Sequence, residues 1–323
     1  MNLASTLLYT AGALVLLLVL LYQFSARTAR RIESALPPTG FFVEADGVRL
    51  HVRDEGEGPA LLLIHGLNGQ MAHFDYGALR ALSQRYRVVA IDRPGSGYSS
   101  RPGGVPADLS TQARAIAQLI DRLNLGRPTV AGHSLGGATA LTLALEHPGK
   151  VGALALVAPL THTDGSVPPA FRALAIETPW LRTLFAWTLA VPAGILGSKR
   201  VLRQVFAPEP PVRDFATRGG GLLSLRPSQF LASAADLLVL RGHMPRLAAR
   251  YGELAGMGIP VHVLFGRGDR ILDWRVNGQG LADKVAGCRL ELVDGGHMLP
   301  VTQPARTARF IEDAVAARQT AAA

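Results

Sequence analysis

Thr129-Val130-Ala131-Gly132-His133-Ser134-Leu135-Gly136-Gly137 is the stretch on which the fold turns. A short apolar run, Thr129 to Ala131, reads as a strand. It runs straight into a serine flanked by small residues, and a helical pattern follows to about Glu146. This is G-x-S-x-G between a strand and a helix. The turn is so tight that only small residues fit beside the serine, which leaves its hydroxyl exposed at the carboxyl end of the strand. The helix that follows aims its N-terminus at the same point, where developing negative charge is favoured. Ser134 is therefore the candidate nucleophile.

The rest of the chain supplies a sheet in which to set that turn. Phe41 to Val43 and Val48 to Val52 read as strands around Asp46-Gly47. Ala60 to Ile64, Val88 to Ile91, Val151 to Val157, Val261 to Phe265 and Leu290 to Val293 read as buried apolar strands. Helices are expected over Ser110 to Leu123 and from Pro304 to about Ala317. Strands alternating with helices predict an α/β fold with a mostly parallel sheet covered on both faces. The lack of alternation within the apolar runs agrees, because such strands are buried on both sides. Residues 161–250 break the pattern. They are rich in Pro, Trp, Phe and Leu and read as proline-broken helices, a helical cap inserted between two core strands of a core made of residues 41–160 and 251–323.

A serine is a poor nucleophile until a base takes its proton. His297, in Asp294-Gly295-Gly296-His297-Met298, follows the last expected strand on a glycine-loosened loop at the correct sheet edge. His51, His147 and His262 lie in or beside ordinary elements and read as structural, and His133 is expected to point away. An acid must orient that histidine and stabilise its charged form. Asp269, just past Val261 to Phe265, is favoured, with Asp273 and Asp294 as rivals. The oxyanion of an acyl-transfer intermediate needs preorganised N–H donors. The amide of Leu135 is one candidate, and the loop His65-Gly66-Leu67-Asn68-Gly69 supplies the other, with Leu67 chosen.

Leu3 to Phe24 carries no charged residue and, as a helix, is long enough to cross a bilayer core. Residues 1–24 are read as a transmembrane anchor and 25–40, with Pro37, Pro38 and Gly40, as a linker. No basic residue precedes the apolar run, as a cleaved signal peptide would require. Arg27, Arg30 and Arg31 follow it, which predicts a single-pass protein with its folded domain in the cytoplasm.

The 323 residues are 48% hydrophobic and carry a formal net charge of +9, with the arginines scattered along the chain. No dense basic run interleaved with aromatics is present, so nucleic-acid binding is not expected. A basic surface beside anionic lipid is the more natural account. Cys288 is the only cysteine, so the fold needs no disulfide, and it lacks the Cys/His spacing of a metal site.

His65-Gly66, Asp92-Arg93-Pro94-Gly95-Ser96-Gly97-Tyr98-Ser99, the turn at Ser134, Gly266 to Asp269 and Gly295-Gly296-His297 occur in this order. Together they resemble the α/β-hydrolase superfamily, in its lipase/esterase-like branch, over roughly residues 41–315. The resemblance implies a Ser–Asp–His triad of Ser134, Asp269 and His297, an inserted cap and no cofactor. It also implies that the Asp92–Ser99 loop is a structural turn. One departure is that Leu272-Asp273-Trp274 stands where family members often carry a proline after the acid. Epoxide hydrolases and haloalkane dehalogenases of this fold have an aspartate in place of the serine. The first expectation is thus a carboxylic-ester hydrolase acting on a small-molecule ester, lipid-like because of the anchor, with no obligate protein partner. Carbon–carbon bond hydrolases, perhydrolases and acyltransferases with the same triad are the alternatives. A slow ligand-binding protein on the same scaffold is another.

Overall fold

The computed structural model describes residues 3–163 and 165–322. Eight strands form one sheet: β1 (Phe41–Ala45), β2 (Val48–Glu55), β3 (Ala60–Ile64), β4 (Arg87–Ile91), β5 (Thr129–His133), β6 (Ala153–Val157), β7 (Val261–Gly266) and β8 (Arg289–Val293). Their spatial order is β1-β2-β4-β3-β5-β6-β7-β8. β1 pairs antiparallel with β2, and β2 with β4; every other pairing is parallel.

Ten helices accompany the sheet among the described residues: α1 (Leu3–Ala35), α2 (Ala78–Leu82), α3 (Leu109–Arg122), α4 (Leu135–Glu146), α5 (Pro179–Trp187), α6 (Ala190–Phe206), α7 (Pro227–Ala249), α8 (Gly280–Ala282), α9 (Leu299–Thr302) and α10 (Pro304–Ala322). The strand period of two divides the core into two layers. Leu62, Ile64, Val89, Ile91 and Val130 pack with α3 and α4 on one face. Leu61, Leu63, Val88, Ala90 and Ala131 pack with α2 and α10 on the other. Both sets are inaccessible to solvent, which is why these strands read as unbroken apolar runs. Cys288 is partly buried, and burial pushes its thiol up to about 11, so it is a poor nucleophile at neutral pH.

The strand order positions the site. From β3 the chain crosses to β4 on one side, and from β4 it returns to β5 on the other. The loops leaving β3 and β5 therefore diverge at a switch point, and the crevice outside the carboxyl ends of such strands is where ligands bind in open α/β sheets. β3 and β5 are in register there, with Ile64 opposite Gly132.

Between β6 and β7 lie α5, α6 and α7 with short single-turn segments. Pro179 and Pro227 stand in the first turns of α5 and α7, where a missing N–H costs nothing. Pro245 lies inside α7 without ending it. α5 and α6 are bent by 75° across a short break. Leu174, Ala186, Phe230 and Ala234 make a small core of their own.

α1 differs from the reading of its second half as a linker. The helix continues through residues 25–35, because this part docks on the folded domain. Ser25 and Ile32 are buried, and Ser25 Oγ donates to the Thr188 carbonyl at 3.3 Å. Arg226 donates to Glu33 at 3.0 Å, and the Tyr98 hydroxyl donates to the Leu36 carbonyl. The apolar part of α1 is exposed, with a mean hydropathy of 2.2 over its best 18-residue window. It is the one single helix among the described residues long and apolar enough to cross a membrane.

Candidate active site

Ser134, between β5 and α4, has φ 54° and ψ −120°, a conformation that non-glycine residues rarely adopt. Such strain costs on the order of 1–3 kcal/mol and persists only where the surroundings over-determine it. Here they do. The Ser134 N–H donates to the Val157 carbonyl at 3.1 Å, and its own carbonyl accepts from Gly137 and Leu160, both at 2.9 Å. The flanking glycines are sterically required. A Cβ on Gly132 would lie 2.4 Å from the Gly136 oxygen, and one on Gly136 would lie 2.2 Å from the Ile64 oxygen.

The loops after β7 and β8 are held against each other. The Gly268 N–H donates to the Gly295 carbonyl at 2.9 Å, and Arg267 N–H to Val293 at 2.8 Å. A Cβ on Gly266 would meet the Gly295 oxygen at 2.4 Å, so this crossing also needs glycine. The crossing places His297 Nδ1 2.7 Å from Asp269 Oδ2 and His297 Nε2 3.0 Å from Ser134 Oγ. The other oxygen of Asp269 accepts from the Ile271 and Leu272 amides at 2.8 and 3.0 Å. Asp269 is fully enclosed and His297 nearly so. The rivals lie elsewhere. Asp273 caps the next helical turn through the Arg275 amide at 2.9 Å and is half exposed, and Asp294 is exposed.

Leu135 is the first residue of α4, where a backbone N–H has no intrahelical acceptor. Leu67 lines the same cavity as Ser134 and Leu135. A Cβ on the preceding Gly66 would sit 2.9 Å from Ser134 Cβ, so this backbone lies directly against Ser134.

The Asp92–Ser99 turn reaches further into the site than its reading as a structural turn implies. Arg93 is wholly buried. Its guanidinium donates to the carbonyls of His65 and Gly66 at 3.0 and 3.2 Å, and to Asp236 on α7 at 2.9 Å. His65 accepts from the Arg93 amide through Nε2 at 2.9 Å and donates from Nδ1 to Gly66 at 2.8 Å. Burial, with Arg93 beside it, holds His65 well below its usual value, hence neutral. Asp92 accepts from the Met71 amide at 2.9 Å, anchoring the far end of the same loop. Nothing local in the sequence marks Arg93 for this task, since its partners come from β3 and from a helix far along the chain.

His133 also does more than its local position implies. Its Nε2 donates to the His297 carbonyl at 2.9 Å, fixing the loop that carries His297. Burial, reinforced by the neighbouring His297, holds His133 well below its usual value.

Ser134 opens onto a cavity of about 590 Å³, walled by apolar side chains that include Leu160, Phe171, Leu237, Leu240 and Leu272. A hydroxyl, a hydrogen-bonded imidazole and a buried carboxylate in this order are equipped to attack an electrophilic carbonyl. No group of three or more metal-ligating side chains occurs among the described residues.

A family model for the alpha/beta hydrolase fold matches residues 59–304. The chain belongs to this family. A 2-hydroxymuconate semialdehyde hydrolase of Pseudomonas putida is 30% identical over 286 residues, covering 87% of this chain and 95% of that protein. An uncharacterised protein of Mycobacterium bovis is 38% identical over 133 residues, which is 41% of this chain and 38% of its relative's length. Among solved structures, a membrane phospholipase A matches this α/β hydrolase with a TM-score of 0.65 at 24% identity, over 98% of this chain and 97% of the other. That coverage takes in α1 as well as the hydrolase core, so the likeness of fold extends to the N-terminal helix.

Proposed function

We propose that this α/β hydrolase is a serine esterase that cleaves carboxylic esters with hydrophobic acyl groups through an acyl-enzyme on Ser134. The observation that carries the reading is the hydrogen-bonded chain Ser134–His297–Asp269 opening onto an apolar cavity of about 590 Å³. In this reading Ser134 Oγ attacks the ester carbonyl while His297 takes its proton. The oxyanion rests on the amides of Leu135 and Leu67, each such donor lowering the barrier by about 3 kcal/mol. The alcohol leaves with the proton from His297, and water then releases the acid by the same steps.

The surface supports a substrate drawn from lipid. Outside α1, the exposed large hydrophobic side chains fall mainly on α5 and α6, with Leu196 86% and Trp180 68% accessible. α5 lies beside α1, and the rings of Tyr22 and Trp187 are 5.4 Å apart. An apolar surface shared by α1, α5 and α6 supports a reading in which the cleft sits beside the acyl chains of a bilayer.

Hydrolysis of p-nitrophenyl esters from acetyl to palmitoyl tests the acyl preference. Rates are expected to rise from acetyl to medium or long chains as more apolar surface enters the cavity, each buried methylene contributing up to about 0.8 kcal/mol. A steady fall from acetyl onward would remove the lipid-like substrate from the reading. The likeness to the P. putida hydrolase favours carbon–carbon bond cleavage as the second reading. Labelling of Ser134 by a fluorophosphonate without turnover of any ester would favour it over the first.

The domain is proposed to face the cytoplasm, because Arg27, Arg30 and Arg31 follow the apolar stretch directly. A reporter fused after Ala323 is expected to be active only on the cytoplasmic side. Activity only on the opposite side reverses the assignment.

A further inference from the structure

One face of α7 buries polar side chains where its neighbours Phe230, Ala232 and Ala234 bury apolar ones. Gln229, Ser233 and Asp236 follow the spacing of four and three that lines one side of a helix, and all three are buried. Gln229 accepts from the Gly97 amide at 2.8 Å, and Ser233 donates to the side-chain oxygen of Asn68 at 3.1 Å. Asp236 accepts from Arg93 at 2.9 Å with one oxygen and from Arg101 at 2.6 Å with the other. Resting on the esterase reading above, we propose that Ser233 and Asp236 are positioning residues, which clamp the loop of residues 65–69 on both sides of Leu67 and so hold the Leu67 amide where the oxyanion forms.

Arg93 divides its guanidinium between the loop and the helix. Its Nε and one terminal nitrogen donate to the His65 and Gly66 carbonyls, and the other terminal nitrogen donates to Asp236 and, at 2.9 Å, to Gln112. The Gly66 carbonyl and the Leu67 N–H belong to one planar trans peptide, in which the two bonds point in opposite directions. Whatever fixes that carbonyl therefore aims that N–H. His65 Nδ1 and the Gly69 N–H also donate to the Gly66 oxygen, at 2.8 and 3.3 Å, but both belong to the loop and move with it. The Arg93 side chain ties the carbonyl to the rest of the molecule. On the other side of Leu67, Asn68 stands in the left-handed region with φ 53°, and Ser233 holds its side chain there.

The clamp depends on charge. The side chains of Arg93 and Asp236 are both inaccessible to solvent. Burial disfavours the charged guanidinium, and Asp236 beside it is the main compensation. A buried cation deprived of its carboxylate has to find another anion or water. Asp92 is near, but its oxygens already accept from the Met71 and Tyr98 amides, both at 2.9 Å, and bond to His51 at 2.7 Å. Without Asp236 the guanidinium is expected to draw away from the two carbonyls, and the Leu67 peptide to turn with them. A displaced oxyanion donor weakens binding of the transition state, whereas the apolar cavity still binds the substrate as before.

Kinetics of the full-length protein in detergent micelles test this, on the p-nitrophenyl ester that the wild type cleaves fastest. Asp236→Asn keeps the shape and removes the charge, and is expected to lower kcat by about 10- to 100-fold with KM within about threefold. Ser233→Ala removes one neutral hydrogen bond and is expected to lower kcat by about fivefold, again with little change in KM. Octyl trifluoromethyl ketone separates positioning from general damage. Ser134 Oγ bonds to its carbonyl carbon, the serine proton passes to His297, and the carbonyl oxygen keeps the electron pair as an oxyanion. Its affinity should weaken in each variant by the same factor as kcat/KM. Met244→Ala, at a buried position about two turns beyond Asp236 on α7, is the control, expected to lower the melting temperature with kcat within about twofold. A loss that falls on KM, an unchanged ketone affinity beside a reduced kcat, or a kcat loss in Met244→Ala as large as in Asp236→Asn overturns the proposal. If Asp236→Asn does not fold, Ser233→Ala decides by the same readouts. Unchanged kcat in both variants leaves the esterase reading standing and overturns the clamp. No turnover of any ester by the folded wild type overturns both together.

Discussion

Ser134→Ala is expected to lower kcat for ester hydrolysis by a factor on the order of 10⁴–10⁶ and to abolish fluorophosphonate labelling. The acyl-enzyme cannot form without Oγ, and His297 is then left only to assist a water that the site is not built to aim. Stability should stay within about 0.5 kcal/mol of the wild type. The Oγ has one hydrogen bond, to His297, and alanine keeps the same Cβ in the same strained turn. Activity above about 1% of wild type, or labelling that persists at another residue, would remove Ser134 as the nucleophile.

Asp269→Asn should cost about 10⁴ in kcat at neutral pH while leaving the fold intact. The asparagine can present an N–H where His297 Nδ1 needs an acceptor. The imidazole then adopts the tautomer with its proton on Nε2, facing Ser134, and cannot act as a base. The amides of Ile271 and Leu272 still find an oxygen at Oδ1, which preserves the loop. Asp273→Asn is the paired control. It lies on the cavity wall but caps Arg275, so its effect on kcat should stay within about threefold. The opposite ranking of the two variants would move the acid from Asp269 to Asp273.

The strands and the tight turn at Ser134 were legible because their causes are local. Ala60 to Ile64 and Val261 to Phe265 are apolar without alternation, which only a strand buried on both faces tolerates. Gly132 and Gly136 announce the turn because any Cβ there would collide with backbone. The second half of α1 was not legible. Its arginines and the nearby prolines resemble a solvated linker, and what holds it helical is contact with Thr188, Arg226 and Tyr98. The choice among Asp269, Asp273 and Asp294 was open in sequence for a similar reason. All three lie near strand ends, and only the crossing of the β7 and β8 loops brings one of them, Asp269, against His297.

By itself the sequence determined the layered α/β architecture, the apolar N-terminal helix and the tight strand-to-helix turn at Ser134. Propensity, apolar period and the sterics of a tight turn all act between neighbours in the chain. The tertiary structure alone decided which groups meet: Ser134 with His297 across 163 positions, and Arg93 with Asp236 across 143. It also set two cavities at Ser134, of about 590 and 90 Å³, only the smaller of them touching His297. Burial and hydrogen-bond partnership are properties of the packed whole, set by strand order and by the docking of the helices between β6 and β7, and no local stretch of sequence carries them.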